Sequence, residues 1–264
     1  MRGKLGGGHL FYLILGKIIA TPKPPSPTQS IFSMKIHSFL VCTAILTLPL
    51  LTAFTKFDIK SGDPIFINSE TGAAARSAQE MVAAGYKRYG IEKGTFVFQY
   101  AGAMSGTDYI YFDNWGWREA KYSKASTKIG TFSDETNAVQ YLDGENRYVY
   151  DPSTKKARYF DGRQAIVVAD QYGSKDMVAF GDVLLRNMGG KPDGKVKVGE
   201  IDCDVWYIEK NNVRLYMWQG ITMGEASYVN GTMVGRNCTS VELKKNPPLN
   251  KLVLPKDAVV EGRK

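Results

Sequence analysis

The chain has 264 residues, 44% hydrophobic and 23% charged, a balance that excludes disordered, collagenous and disulfide-stapled classes. Much of its formal charge of +8 sits in one place: five of 34 basic residues (Arg2, Lys4, Lys17, Lys23, Lys35) lie within residues 1–53, which hold no acid. From Phe54 onward 29 basic residues face 26 acidic ones, too even for a nucleic-acid footprint, so no nucleic-acid partner is expected. Both histidines, His9 and His37, also fall in the leader. Beyond it no Ser-His-Asp, Cys-His or His-ligated metal site can be built, so neither an enzyme nor a cofactor is expected.

The stretch Met34-Lys35-Ile36-His37-Ser38 precedes an apolar run, Phe39 to Ala53. A basic start, a short apolar core and a terminal small residue predict a signal peptide over 34–53, cleaved near Phe54. The run is short for a membrane span, and Pro49 weakens it further, which makes an uncleaved anchor the lesser alternative. Cys42 lies too early in the run for a lipoprotein cysteine. Residues 1–33 carry a second apolar patch, Leu10 to Ala20, and a Pro-rich stretch that belongs to no fold. They read as an over-extended start before Met34, with a genuine anchor and linker as the alternative. Residues 54–264 read as one exported domain.

Within that domain a first helix is expected from about Gly72 to Tyr86, where Ala74, Ala78, Met81, Val82 and Gly85 recur at helical spacing. Strands follow. Thr95–Tyr100 places Phe96, Phe98 and Tyr100 on one face, and Tyr109–Phe112 and Arg147–Tyr150 alternate likewise. Gln164–Asp170, with Ile166-Val167-Val168, is expected to be another strand. A second helix should follow Ser174 as N-cap, with Met177, Phe180, Leu184 and Met188 on one stripe and a stop at Gly189-Gly190. The end is a meander: Lys195–Glu209, Val213–Val229 and Thr232–Leu243, turning at Asn211-Asn212 and Asn230-Gly231. This makes a mostly β (α+β) domain of roughly eleven strands that close or nearly close a barrel, with two helices packed on it. Val205 to Ile208 and Leu215 to Trp218 are bulky on both faces, so both faces must be covered.

Three stretches carry a resemblance: Tyr148-Val149-Tyr150-Asp151-Pro152-Ser153-Thr154-Lys155, Gly199-Glu200-Ile201-Asp202-Cys203-Asp204-Val205-Trp206, and Met217-Trp218-Gln219-Gly220-Ile221-Thr222-Met223. Over residues 70–255 the order of elements resembles the half-open antiparallel barrel of the periplasmic lipoprotein-localisation proteins (LolA/LolB-like) and related exported bacterial domains. The resemblance implies an apolar ligand, lipid or acyl chain, held on the concave face beneath the helices. It also leaves room for peripheral contact with a membrane or an envelope protein. Its motifs are structural, so lipoprotein transport as such is not implied.

Other motifs weigh less. Gly189 to Val196 nearly spells a phosphate loop, but it ends with Val196 instead of Ser or Thr and precedes a strand instead of opening a helix. Asp202 and Asp204, with Glu200, could do acid–base work or hold calcium, but such an edge is more often a solvated face. Trp115-Gly116-Trp117 reads first as core or an aromatic turn, and second as the rim of a cavity mouth. The expected apolar lining is Met81, Phe96, Phe98, Tyr100, Trp115, Trp117, Trp206 and Trp218. Cys203 and Cys238 are an even pair in an oxidising compartment but fall on strands separated by a third, which leaves a disulfide open. Two rival functions stand beside the carrier: an envelope structural or interaction domain with a self-filled barrel, and an enzyme working through carboxylates alone.

Overall fold

The alternating segments from Gly94 onward form a single curled sheet. The structure, a computed structural model, describes residues 74–229 and 231–262. The expected leader, the first residues of the expected helix from Gly72, and Asn230 of the last turn lie outside them.

A short helix α1 (Ala78–Ala83) comes first, then six antiparallel strands: β1 (Gly94–Gly102), β2 (Met104–Asp113), β3 (Arg118–Ile129), β4 (Phe132–Asp143), β5 (Asn146–Asp151) and β6 (Lys156–Asp161). Two helices, α2 (Arg163–Gln171) and α3 (Met177–Asn187), lead to a meander of β7 (Gly190–Val198), β8 (Ile201–Ile208), β9 (Val213–Trp218), β10 (Ile221–Val229) and β11 (Thr232–Glu242). The one-turn helix α4 (Leu249–Leu252) and β12 (Val259–Glu261) close the described chain. Strand order is β12-β6-β5-β4-β3-β2-β1-β11-β10-β9-β8-β7; every pairing is antiparallel except β12 on β6. The edge strands β12 and β7 do not pair, so the sheet is a half-open barrel.

Several sequence expectations need correction. The described part of the first helix is six residues, because the capping box of Ser77 and Glu80 starts it and Gly85, at φ 88°, ends it. Gln164–Asp170 is helical, not a strand: Ile166 and Ala169, one helical turn apart, are both buried, and that stripe overrides the β-branched run. The N-cap of α3 is Asp176, whose carboxylate accepts from the amides of Val178 (2.9 Å) and Ala179. Val213–Val229 is a hairpin folded at Gln219-Gly220, where both residues have positive φ, and β7 starts at Gly190 instead of Lys195. The described strands therefore number twelve, and four helices accompany them.

The two cysteines lie on β8 and β11, separated by β9 and β10. Both are free, buried thiols, donating to the carbonyls of Ile201 and Ser240 respectively. They meet in the core because the sheet rolls: β7 comes within contact distance of β11 although three strands lie between. Burial pushes both thiols up in pKa, which suppresses the reactive thiolate. Labelling of Cys203 and Cys238 in the folded protein is therefore expected to be slow, with both thiols appearing on denaturation without reductant. If they appear only after reduction, the cysteines are bridged.

Candidate binding face

Strand register places residues on a common face, and directly opposed residues share it. One row across the sheet runs Phe96, Ile110, Lys121, Gln140, Val149, Arg158. The next runs Phe112, Glu119, Leu142, Arg147, Phe160. Phe96, Phe98 and Phe112 on this face pack across the roll onto Cys203, Ile221, Met223 and Cys238. It is therefore the concave face.

Exposure is uneven along it, lowest at the phenylalanines of β1 and β2 and highest on β6. Phe96, Phe98 and Phe112 are fully buried, with Phe96 stacked on Phe98 and on Phe112. Lys121 is buried, Gln140 and Val149 are half-buried, and Arg158 and Phe160 are exposed. The concave face is thus filled by its own side chains at β1–β2 and open at β4–β6. On the opposite face Tyr122, Val139, Tyr141 and Tyr150 pack under Leu252 and Leu254 of the C-terminal segment.

The eight residues expected to line one cavity fall into different neighbourhoods. Phe96, Phe98 and, at its margin, Trp218 belong to the filled end. Met81 and Trp117 pack with Tyr86 and Ile166, and the Trp117 indole donates to the Tyr86 carbonyl at 3.1 Å. Trp206 lies with Leu185 of α3, Ile208 and Leu215. Tyr100 packs beside Met104 and Val234, its hydroxyl 3.0 Å from both Asp108 oxygens.

Trp115 is half-buried, in left-handed backbone (φ 57°, ψ 33°) that costs a bulky residue strain. Its amide donates to the Glu92 carbonyl at 2.8 Å, and its carbonyl accepts from Arg88 and Tyr89. The Lys87 ammonium lies 4.0 Å above its ring. Gly116 follows because a Cβ there would meet the Tyr89 ring at 2.3 Å. Asp202 and Asp204 are exposed on β8, opposite Lys197 and Lys195 across the pair with β7.

Sequence reasoning missed the charges in the middle of the concave face. Asp108 is fully buried, and Arg236 bridges it to Glu225, with Nη1 2.7 Å from Asp108 Oδ2 and Nε 2.8 Å from Glu225 Oε1. Lys121 Nζ is 3.0 Å from the same Asp108 oxygen, an ion pair by distance though not aligned as a hydrogen bond. The Arg236 guanidinium also covers the Phe98 ring at 4.6 Å. Burial raises the Asp108 carboxyl, but Lys121 and Arg236 more than offset it and hold the pKa below the ordinary value. Burial, then Arg236, pulls the Lys121 ammonium down. Burial pushes Glu225 up to about 7 in spite of Arg236. The signal was available: Asp108 is in phase with Ile110 and Phe112, and Arg236 with Cys238.

A second charged group lies toward the open end. Arg88 donates to Glu119 at 2.9 Å and to the Gly116 carbonyl at 2.9 Å, and the Tyr89 hydroxyl donates to Glu119 at 2.5 Å. Glu145 accepts from the amide, Nε and Nη2 of Arg76. Among the described residues no three of His, Cys, Asp and Glu gather as metal ligands would.

No family model and no curated protein matches the chain. Among solved structures it is similar to an uncharacterized conserved protein from Thermus thermophilus, at 14% identity over 71% of this chain and 100% of that one, TM-score 0.42. It is also similar to a chain of the Pseudomonas aeruginosa MucA/MucB complex, at 11% identity over 70% of this chain and 63% of that one, TM-score 0.37. A third is the LolA superfamily protein NE2245 from Nitrosomonas europaea, at 11% identity over 70% of this chain and 100% of that one, TM-score 0.20.

Proposed function

We propose that the protein is an exported binder or carrier of an apolar ligand, a lipid or acyl chain, held on the open part of the concave face over β4–β6. The observation that carries this reading is the accessible surface that the face keeps on β5 and β6. Val149 is half-buried and Phe160, on the next strand, is 37% exposed, with Leu142 on the far side of β5. An acyl chain laid there would gain about 0.8 kcal/mol for each methylene removed from water. Residues 34–53 supply the export signal in this reading, and contact with a membrane or an envelope protein supplies the route by which a chain is delivered.

The filled end favours the rival, a structural or interaction domain, because Phe96, Phe98 and Phe112 have no exposed surface to offer a ligand. Titration with the neutral chain 1-hexadecanol separates the two. Micromolar or tighter binding, weakly dependent on salt and lowered at least tenfold by Val149→Asp, supports the carrier. An unchanged melting temperature and no binding leave the structural reading. Phe98→Asp is unsuitable as a test, since it would bury a carboxylate in the core.

A further inference from the structure

The open end of the concave face carries two cations that take part in no ion pair among the described residues, the exposed Arg158 and the half-buried Arg147, and of these Arg147 has a nitrogen shielded from solvent. Around Arg147, each nearby carboxylate is already committed to another arginine: Glu119 to Arg88, Glu145 to Arg76 and Asp161 to Arg163. Among the described residues Arg147 takes part in no ion pair, and its Nε is shielded from solvent without a hydrogen-bond partner. The residues opposite it on the neighbouring strands are Leu142 and Phe160, both apolar. Burial, then the nearby Arg88, lowers the Arg147 pKa to about 10, and the attraction of Glu119, already paired with Arg88, offsets this only in part. A half-buried guanidinium beside apolar surface, with a second cation nearby, is incomplete without an anion.

We propose that Arg147, backed by Arg88, binds the carboxylate or phosphate group of an anionic amphiphile whose chain lies along Val149 and Phe160. This rests on the carrier reading and narrows its ligand to a negatively charged lipid. Arginine suits the task because its planar fork can meet two oxygens of either group at once. Lys121, next along the face, is held by Asp108 and is not free to compete.

The test compares hexadecanoate, 1-hexadecanol and inorganic phosphate on the wild-type protein and on Arg147→Gln, with Arg147→Lys as the charge-conserving control. The wild type should bind hexadecanoate at least tenfold more tightly than the alcohol, with the difference shrinking in salt. Arg147→Gln should bind both alike, with the alcohol affinity unchanged, and Arg147→Lys should keep part of the preference. A carboxylate preference that survives in Arg147→Gln overturns the assignment while leaving the carrier intact. Inorganic phosphate binding as tightly as hexadecanoate overturns the amphiphile. If neither chain binds the wild type, the carrier reading itself fails and takes this proposal with it. Since Arg147 has no ion-pair partner to lose among the described residues, its glutamine variant should melt within a few degrees of wild type, and circular dichroism checks that both variants fold.

Discussion

Arg236→Met is expected to lower the free energy of unfolding by about 3–5 kcal/mol, the usual cost of removing one partner from a buried ion cluster. Arg236 is the only bridge between Asp108 and Glu225 that the ion pairs of the described residues provide. Without it Glu225, 5% exposed, loses its cation, and Asp108 keeps Lys121 alone. Methionine keeps most of the side-chain length, so the loss reports chiefly the ion pairs and hydrogen bonds that Arg236 makes to Asp108 and Glu225. Urea denaturation at neutral pH measures it. A loss below about 1 kcal/mol, the range of exposed pairs, would mean that water reaches the cluster and that the concave face is wet at its centre.

This cluster lies beyond what local patterning in the sequence can specify. Alternation placed Phe96, Phe98 and Tyr100 on one face correctly, because a period of two is a local property of the chain. The stripe Met177, Phe180 and Leu184 was equally legible, since a stripe of that spacing has one helical solution. Which strand lies across the roll from which is not local. The meeting of Phe98 with Cys203 depends on how far the sheet curls between β1 and β8, and that curl draws on the bulges at Val97/Phe98 and Thr222/Gly224. For the same reason eight aromatic and apolar residues share a character in the sequence, while the fold distributes them among several clusters. Ile166-Val167-Val168 misled in the opposite way: β-branched composition outweighed the burial stripe that only tertiary contacts reveal. Asp108, Lys121, Glu225 and Arg236 were in phase with apolar residues throughout. Charge in such a position is ordinarily read as an outward face, and only pairing across five strands makes it tolerable inside.

The ionic centre divides the concave face into two parts with different physical roles. On the β1 side, stacked phenylalanines with no exposure behave as a core and fix the roll of the sheet. On the β5 side, Arg147, Val149 and Phe160 keep accessible surface and remain adaptable. A ligand there would not need to open the filled end, so binding and folding can be varied separately. Substitutions at Phe96 or Phe112 report on stability, whereas those at Val149 or Arg147 report on binding.

Stability is expected to fall by about 2–3 kcal/mol between about pH 5 and about pH 8, and Glu225→Gln is expected to flatten that decline. The folded protein holds the Glu225 proton up to about pH 7, against an ordinary value of 4.5, so folding takes up a proton between these limits. The unfolded chain binds fewer protons there, and the stability this group contributes is complete below about pH 4.5 and lost as pH rises through 7. A raised pKa of that size corresponds to about 3 kcal/mol. Asp108 works in the other direction: its lowered pKa contributes stability above its ordinary value of 3.8, lost as the pH falls further. Together the two carboxyls place the optimum near about pH 4–5, below the range usual for a folded domain. The assignment is unusually clean because both histidines precede Phe54, leaving no imidazole in the sheet to titrate over the same interval. Urea unfolding across this pH range, on wild type and Glu225→Gln, decides it. Equal stability at the two ends of the range in the wild type would mean that Glu225 is ionised throughout and that Arg236 neutralises it fully. An undiminished decline in the glutamine variant would move the proton to another group.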